Sequence, residues 1–342
     1  MYTSATVVHW LKHPRNKVIL PASVDIDLTN ICNQDCFYCN SAEFRAVSPG
    51  GPKYQSYIEL LDRLASWRAH SPDSVGSLQT VTFPGGGEPT LLKGYEYVLE
   101  AAVDHDFLTS ITTNGFKLDQ LIDNISHDKL RRLGWIGIDV DAGSASLYEE
   151  IRRTITGKTI FYQMQENARA LRKIGVNVDF KVLLCELNTS ESALRDIFKM
   201  SRDVDIRLLY FRSMILNYKT FPVSDELLAL INQLSQEYGQ PIKVNLGKSD
   251  TRNYSRCHQM FQFPVFCADG NIYTCCENKG NPQFSIGSWL EGDFRDLWLS
   301  DRHWSVYNSI NTHLCPPCRP NGDNIEIQNV MNNPILIEKL YL

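Results

Sequence analysis

Residues 27–39 read DLTNICNQDCFYC, and the placement of Cys32, Cys36 and Cys39 within them decides how the whole chain is read. The gaps between the cysteines are three residues, then two. Just upstream, residues 24–28 (VDIDL) alternate apolar and acidic side chains, the period-two pattern of a half-buried strand. The cysteines therefore fall on the loop that leaves a strand end. Thiolates are soft ligands suited to iron–sulfur clusters, zinc and Cu(I). Three on one tight loop can hold three irons of a cubane cluster and leave the fourth iron without a protein ligand. Structural sites are closed by four ligands, whereas reactive ones keep a position open. No histidine and no fourth cysteine follows within thirty residues of Cys39. The spacing predicts a reactive metal site.

Composition sets the frame. At 342 residues the chain accommodates one large α/β domain and a smaller module. With 43% apolar and 21% charged residues it has ordinary globular composition. A net charge of −5 argues against a nucleic-acid or anionic-membrane binder, because phosphate-binding surfaces need a basic excess. No apolar run approaches the length of a membrane span, and the N-terminal residues do not read as a secretion signal. Ten cysteines in such a chain point to a reducing, cytoplasmic setting in which they serve metals or catalysis rather than disulfides.

Working outward from the cysteine loop, strand-like and helix-like segments alternate. Apolar runs near 25–28, 79–83, 108–112, 135–140, 177–184 and 205–211 read as strands. Segments near 55–68, 94–105, 118–132, 146–174, 190–201 and 224–238 have helical period. Such alternation predicts a parallel sheet with right-handed crossovers. Six strands cannot close an eight-stranded barrel, so the expectation is an open, partial (β/α)6 barrel over residues 24–247, after a short lead of 1–23. The site is expected at the C-terminal strand ends. A polar linker at 248–256 separates this barrel from residues 257–342, where cysteine and aromatic density rises. Residues 263–275 read as a hairpin turning at Asp269-Gly270, followed by a helix near 293–308 and then Cys315-Pro-Pro-Cys318. Too small to rely on its own core, this module reads as stapled by metal.

The cysteine triplet, with aromatic Tyr38 before its last member, resembles the signature of radical S-adenosylmethionine (SAM) enzymes. The resemblance continues in order: Gly85-Gly86-Gly87-Glu88-Pro89 ends the second strand, Thr113-Asn114-Gly115 the third, and residues 138–143 (IDVDAG) span the end of the fourth. It implies a 4Fe–4S cluster on Cys32, Cys36 and Cys39 whose open iron is chelated by SAM. Reductive cleavage then yields a 5′-deoxyadenosyl radical that takes a hydrogen atom from a substrate carbon. Glycines 85–87 allow close backbone approach to a ligand, while Thr113, Asn114, and either Asp139 or Asp141, offer hydrogen bonds to its ribose or carboxylate. Tyr38 is a candidate to pack on the adenine or shield the cluster.

Cys257, twelve residues, Gly270, four residues, Cys275 and then Cys315 and Cys318 resemble the Twitch auxiliary-cluster fold, the shortened relative of the SPASM domain. This implies a second 4Fe–4S cluster. A structural zinc, or Cys267 in place of Cys257, is the alternative for the same residues. Cys185, Cys267 and Cys276 are then left over. Cys276, beside a ligand, is the candidate hydrogen-atom donor for an epimerisation, with Cys185 as the alternative and plain burial as the bland reading. Lys181, Arg207, Tyr210 and Arg212 lie where the family commonly places substrate-binding groups, whereas Arg152 and Arg153 read as solvated charges. The expected substrate is an aminosugar, cyclitol or peptide residue. The two dozen residues before the first strand are too few for a peptide-recognition domain, which favours the small molecule. Alcohol dehydrogenation, radical dehydration or peptide cross-linking, and a non-catalytic redox protein are the competing functions. A flavodoxin or ferredoxin is the electron donor the resemblance implies.

Overall fold

A computed structural model of the chain describes residues 7–8, 10–11, 18–68, 74–155, 160–216, 219–246, 251–318 and 320–333. Its centre is a ten-stranded sheet. In chain order the strands are β1 (Ser23–Ile26), β2 (Thr80–Phe83), β3 (Leu108–Thr113), β4 (Trp135–Asp139), β5 (Val178–Leu184), β6 (Leu208–Ser213), β7 (Ile242–Asn245), β8 (Val265–Phe266), β9 (Asn271–Tyr273) and β10 (Ser285–Ser288). Across the sheet they run β7-β6-β5-β4-β3-β2-β1-β8-β9-β10. Neighbours from β7 through β8 are parallel, and β8, β9 and β10 are antiparallel.

All six expected strands are present, because each apolar run supplies one buried face. Val24, Val81, Ile111, Ile138, Phe180 and Phe211 enter a single hydrophobic core. Asp25, Thr82, Thr112, Asp139, Lys181 and Arg212, each one position away, line a cavity on the other face. Helices between the strands complete the core. In Glu191–Val204, for example, Leu194, Ile197, Phe198 and Val204 are buried, each contributing about 1.5–3 kcal/mol. Ser190 caps that helix by accepting from Ala193 N at 3.2 Å.

Three of the differences between the structure and the sequence reading concern a barrel strand and the lengths of helices. β7 is a seventh parallel strand; its IKVN sequence buries no residue fully, so it carries no apolar run to announce it. The expected helices over 118–132 and 146–174 are each two helices. Ser126 starts a new helix within the first, and Arg153, at φ +51, ends Ala145–Arg152 within the second. The helix near 293–308 is broken where Leu299 takes φ +61 and Ser300 caps Asp301–Ser309.

The hairpin turns at Gly270, whose φ of +89 suits a residue without Cβ, with Asp269 Oδ1 accepting from Asn271 N at 3.0 Å. Its strand β8 pairs in parallel with β1, so the C-terminal region extends the barrel's own sheet. Residue 247, at the end of the expected barrel, and residues 248–250 of the polar linker lie outside the described residues. Among the described residues no helix is long and apolar enough to cross a membrane.

Candidate active site

The cysteine loop is held from below by the end of helix Ala145–Arg152. Asp35 N donates to Arg153 O at 2.9 Å, and Ile155 N donates to Asn33 O at 3.0 Å. Gln34 donates to Tyr148 Oη at 2.9 Å and receives both Arg152 Nε, at 3.2 Å, and Nη2, at 3.1 Å. The third guanidinium nitrogen bonds Asp141 Oδ2 at 2.8 Å and Tyr38 Oη at 2.9 Å. Tyr38 also donates to Asp141. Arg152 is buried, not solvated, because these partners converge on it from three segments. Sequence alone carried no signal for that convergence.

The two aspartates left open by the sequence have different surroundings. Asp139 lines the cavity, where Lys181 Nζ pairs with it at 3.1 Å. Asp141 is 1% exposed and is surrounded by Arg152, Tyr38 and Leu183 N (2.7 Å). Its left-handed φ of +55 is braced by Asn188, which donates to its carbonyl at 2.8 Å.

Glycines 85–87 line the same cavity, but part of the reason for glycine is the protein itself. A Cβ on Gly87 would stand 2.1 Å from Ile31 O, and one on Gly86 would stand 2.5 Å from Asn30 Oδ1. Gly87 N donates to Thr29 O at 2.7 Å and Glu88 N to Ile31 O at 2.8 Å, zipping the second strand end to the base of the cysteine loop. The buried Glu88 carboxylate accepts from Thr90 Oγ1 (2.6 Å), Thr113 Oγ1 (2.5 Å) and Asn114 N (2.7 Å), while burial pushes its pKa up. It thereby fixes the ends of β2 and β3 together.

One cavity of about 380 Å³ has Cys32, Cys36, Cys39, Tyr38, Glu88, Thr113 and Asn114 in its wall. Lys181, Tyr210 and Arg212 line it too, whereas Arg207 turns to a bidentate pair with Asp179 (2.8 and 2.5 Å). A second cavity, of about 360 Å³, is lined by Cys257, Cys275, Cys315 and Cys318. Cys276 and Glu277 lie in the walls of both. Cys185 and Cys267 are fully buried and line neither; Cys267 donates to Asp27 Oδ2 at 3.6 Å. None of the ten cysteines is in a disulfide. Burial pushes the Cys36 thiol up to about 11 and the Cys257 and Cys275 thiols up to about 12.

Sequence reasoning passed over Lys279, which joins the two regions: buried in the first cavity's wall, it bonds Asp27 Oδ2 at 2.7 Å and Gly85 O at 3.3 Å. Among the described residues no three His, Cys, Asp or Glu side chains close on a point the size of one metal ion. The donor chemistry fits a thiolate-held cluster with SAM beside it. Three thiols come from one loop, strand-end hydroxyl, amide and carboxylate groups adjoin them, and Ser213 Oγ, buried in the same wall, makes no hydrogen bond.

An open parallel α/β sheet with a cysteine loop leaving its first strand defines a cluster-bearing enzyme of the partial-barrel kind. The model of the radical SAM superfamily matches residues 26–197, half of the chain, and the chain belongs to that superfamily. It is therefore a radical SAM enzyme, with the 4Fe–4S cluster and SAM that membership implies.

Among characterised proteins it is similar to the molybdenum cofactor biosynthesis protein moc-5 of Caenorhabditis elegans, at 26% identity over 81% of this chain and 47% of that protein. It is also similar to an S-adenosylmethionine-dependent nucleotide dehydratase of Flammeovirga pacifica, at 27% identity over 51% of this chain and 57% of that one. The chain thus spans about half the length of these two relatives. In three dimensions it resembles SuiB of Streptococcus suis bound to S-adenosylmethionine, with a TM-score of 0.65 at 15% identity. That match covers 89% of this chain and 69% of SuiB, so the shared fold runs beyond the barrel.

Proposed function

We propose that this enzyme inverts a carbon stereocentre in a polar natural product, an aminosugar or cyclitol or a peptide residue, with Cys276 as hydrogen-atom donor. The reading is carried by the position of Cys276 in the walls of both cavities, on the hairpin rather than on the cysteine loop. Cys32, Cys36 and Cys39 would hold the radical cluster, and Cys257, Cys275, Cys315 and Cys318 an auxiliary one. When bound, the first cluster and SAM supply a 5′-deoxyadenosyl radical that abstracts a hydrogen atom.

The chain's own residues do the rest. Thr113, Asn114 and Asp139 offer hydrogen bonds at the strand ends, and Lys181 holds Asp139 in position. Tyr210 and Arg212 contribute polar groups for the substrate. The Cys276 thiol is oriented by Glu277, whose Oε1 accepts at 3.8 Å while its Oε2 receives Asn40 Nδ2 at 3.0 Å. Cys276 gives its hydrogen atom to the substrate radical, leaving a thiyl. That thiyl regains one electron from a reductant, by expectation a flavodoxin or ferredoxin, and one proton from solvent.

Alcohol dehydrogenation is the second reading, favoured by the wall of Asp25, Thr82, Cys276 and Glu277 shared by the two cavities, which brings an electron acceptor close to the substrate. Anaerobic turnover with SAM, dithionite and a panel of aminocyclitols and peptides in deuterated water separates the two. The wild type is expected to place one solvent deuterium at the inverted carbon. Cys276→Ala should release 5′-deoxyadenosine without inverted product. An oxidised, deuterium-free product formed equally by both proteins would overturn epimerisation.

A further inference from the structure

We infer that Asn278 and Asn324 act as positioning residues that raise the reduction potential of the cluster held in the C-terminal cavity. The inference rests on the assignment of Cys257, Cys275, Cys315 and Cys318 to an auxiliary 4Fe–4S cluster. It concerns side chains that no signature singles out.

Asn324 is fully buried, 67 residues beyond Cys257. Its Oδ1 accepts from Gln259 N at 3.1 Å, which fixes the amide so that the NH2 group faces the other way, onto Cys257 Sγ at 3.6 Å. Asn278 donates through Nδ2 to Cys275 Sγ at 3.5 Å. The Arg252 guanidinium donates to Pro316 O at 2.7 Å, between Cys315 and Cys318. Two of the four thiols in this cavity thus receive a side-chain N–H, each from a neutral amide. Around the first cavity, among the described residues, a single side chain does the same: Arg45 Nη2 reaches Cys39 Sγ at 3.6 Å.

Adding an electron to a cluster makes it more negative, so N–H donors at its sulfurs favour the reduced form. The two amides therefore raise the midpoint of the C-terminal cluster above that of the same cluster without them. This cluster lies behind the wall that carries Cys276.

The test is a potentiometric titration followed by electron paramagnetic resonance on the full chain carrying its clusters. The auxiliary signal is identified as the one that survives in protein with Cys32, Cys36 and Cys39 replaced by alanine. Asn278→Ala removes one donor at a half-exposed site. Asn324→Asp removes another while keeping the acceptor for Gln259 N.

Each is expected to lower the equilibrium constant for reduction about tenfold, roughly 59 mV for one electron. The radical cluster's midpoint should stay in place, and Asn278→Gln should restore part of the shift. Wild-type iron content with an unmoved auxiliary midpoint in Asn278→Ala overturns the inference, whatever Asn324→Asp does to folding. Iron for one cubane only, or zinc, in reconstituted wild type overturns the auxiliary-cluster assignment itself, and the inference with it.

Discussion

Replacing Arg152 by methionine should both destabilise the barrel and empty its cysteine loop. The Arg152 and Asp141 side chains are 7% and 1% exposed and pair at 2.8 Å. Removing the cation leaves a carboxylate buried with only Tyr38 Oη and Leu183 N as donors. Breaking such a buried pair costs about 3–5 kcal/mol. That is a large part of the 5–15 kcal/mol of a typical domain.

Methionine keeps the volume of the aliphatic stem, so the loss is electrostatic rather than a cavity. At about 2–3 kcal/mol per molar urea, the midpoint of cluster-free, reduced protein should fall by roughly 1–2 M. Because Gln34 and Tyr38 lose their anchor, iron taken up at Cys32, Cys36 and Cys39 should fall in parallel. Adding Asp141→Asn removes the stranded charge and should recover about half of the midpoint shift. A drop smaller than about 0.3 M in Arg152→Met, with iron uptake unchanged, would refute the claim that this buried knot holds the loop.

Lys279→Met strands the fully buried Asp27 in the same way, and a loss of about 3–5 kcal/mol in urea unfolding is expected, relieved by Asp27→Asn. Gly87→Ala puts a methyl 2.1 Å from Ile31 O, so the cysteine loop has to move. Destabilisation of about 1–3 kcal/mol and reduced iron uptake should follow, and wild-type values for both would count against the close approach. Burial pushes His303 down to about 3, so its folded value lies below the ordinary one near 6.5. Its neutral form stabilises fully above pH 6.5, and that contribution fades as pH falls towards 3, by about 2 kcal/mol at pH 5. His303→Leu should flatten the change in urea midpoint between pH 7 and pH 5; an equal drop in variant and wild type would contradict this.

The parallel strands were legible because each has one face in the core: β2 reads TVTF and buries Val81 and Phe83. β7 was not, since an edge strand is held by its pairing to β6 and needs no buried side chain. The helix breaks at Ser126 and Arg153 hide inside stretches whose apolar period continues across them. Ser126 is a readable N-cap, but Arg153 signals nothing before the loop it meets is known. At the site, local spacing marked the cysteines and the strand-end polar groups. Arg152, Lys279 and Asn324 escaped because their partners lie 118, 252 and 67 residues away, at Gln34, Asp27 and Cys257. A charge or amide reads as surface until the fold supplies such a partner.

The parallel seam between β1 and β8 has a practical consequence. Ser23, Asp25 and Asp27 each give their amide hydrogen to a carbonyl of residues 262–266, at 2.9–3.3 Å. A fragment ending at residue 256 would strip those acceptors away and leave the barrel's first strand as a naked, adhesive border beside its most reactive loop. Such borders invite self-association. Shortened versions should therefore precipitate or pair with one another, and the C-terminal quarter acts as the selvedge that keeps the rest from unravelling into aggregates.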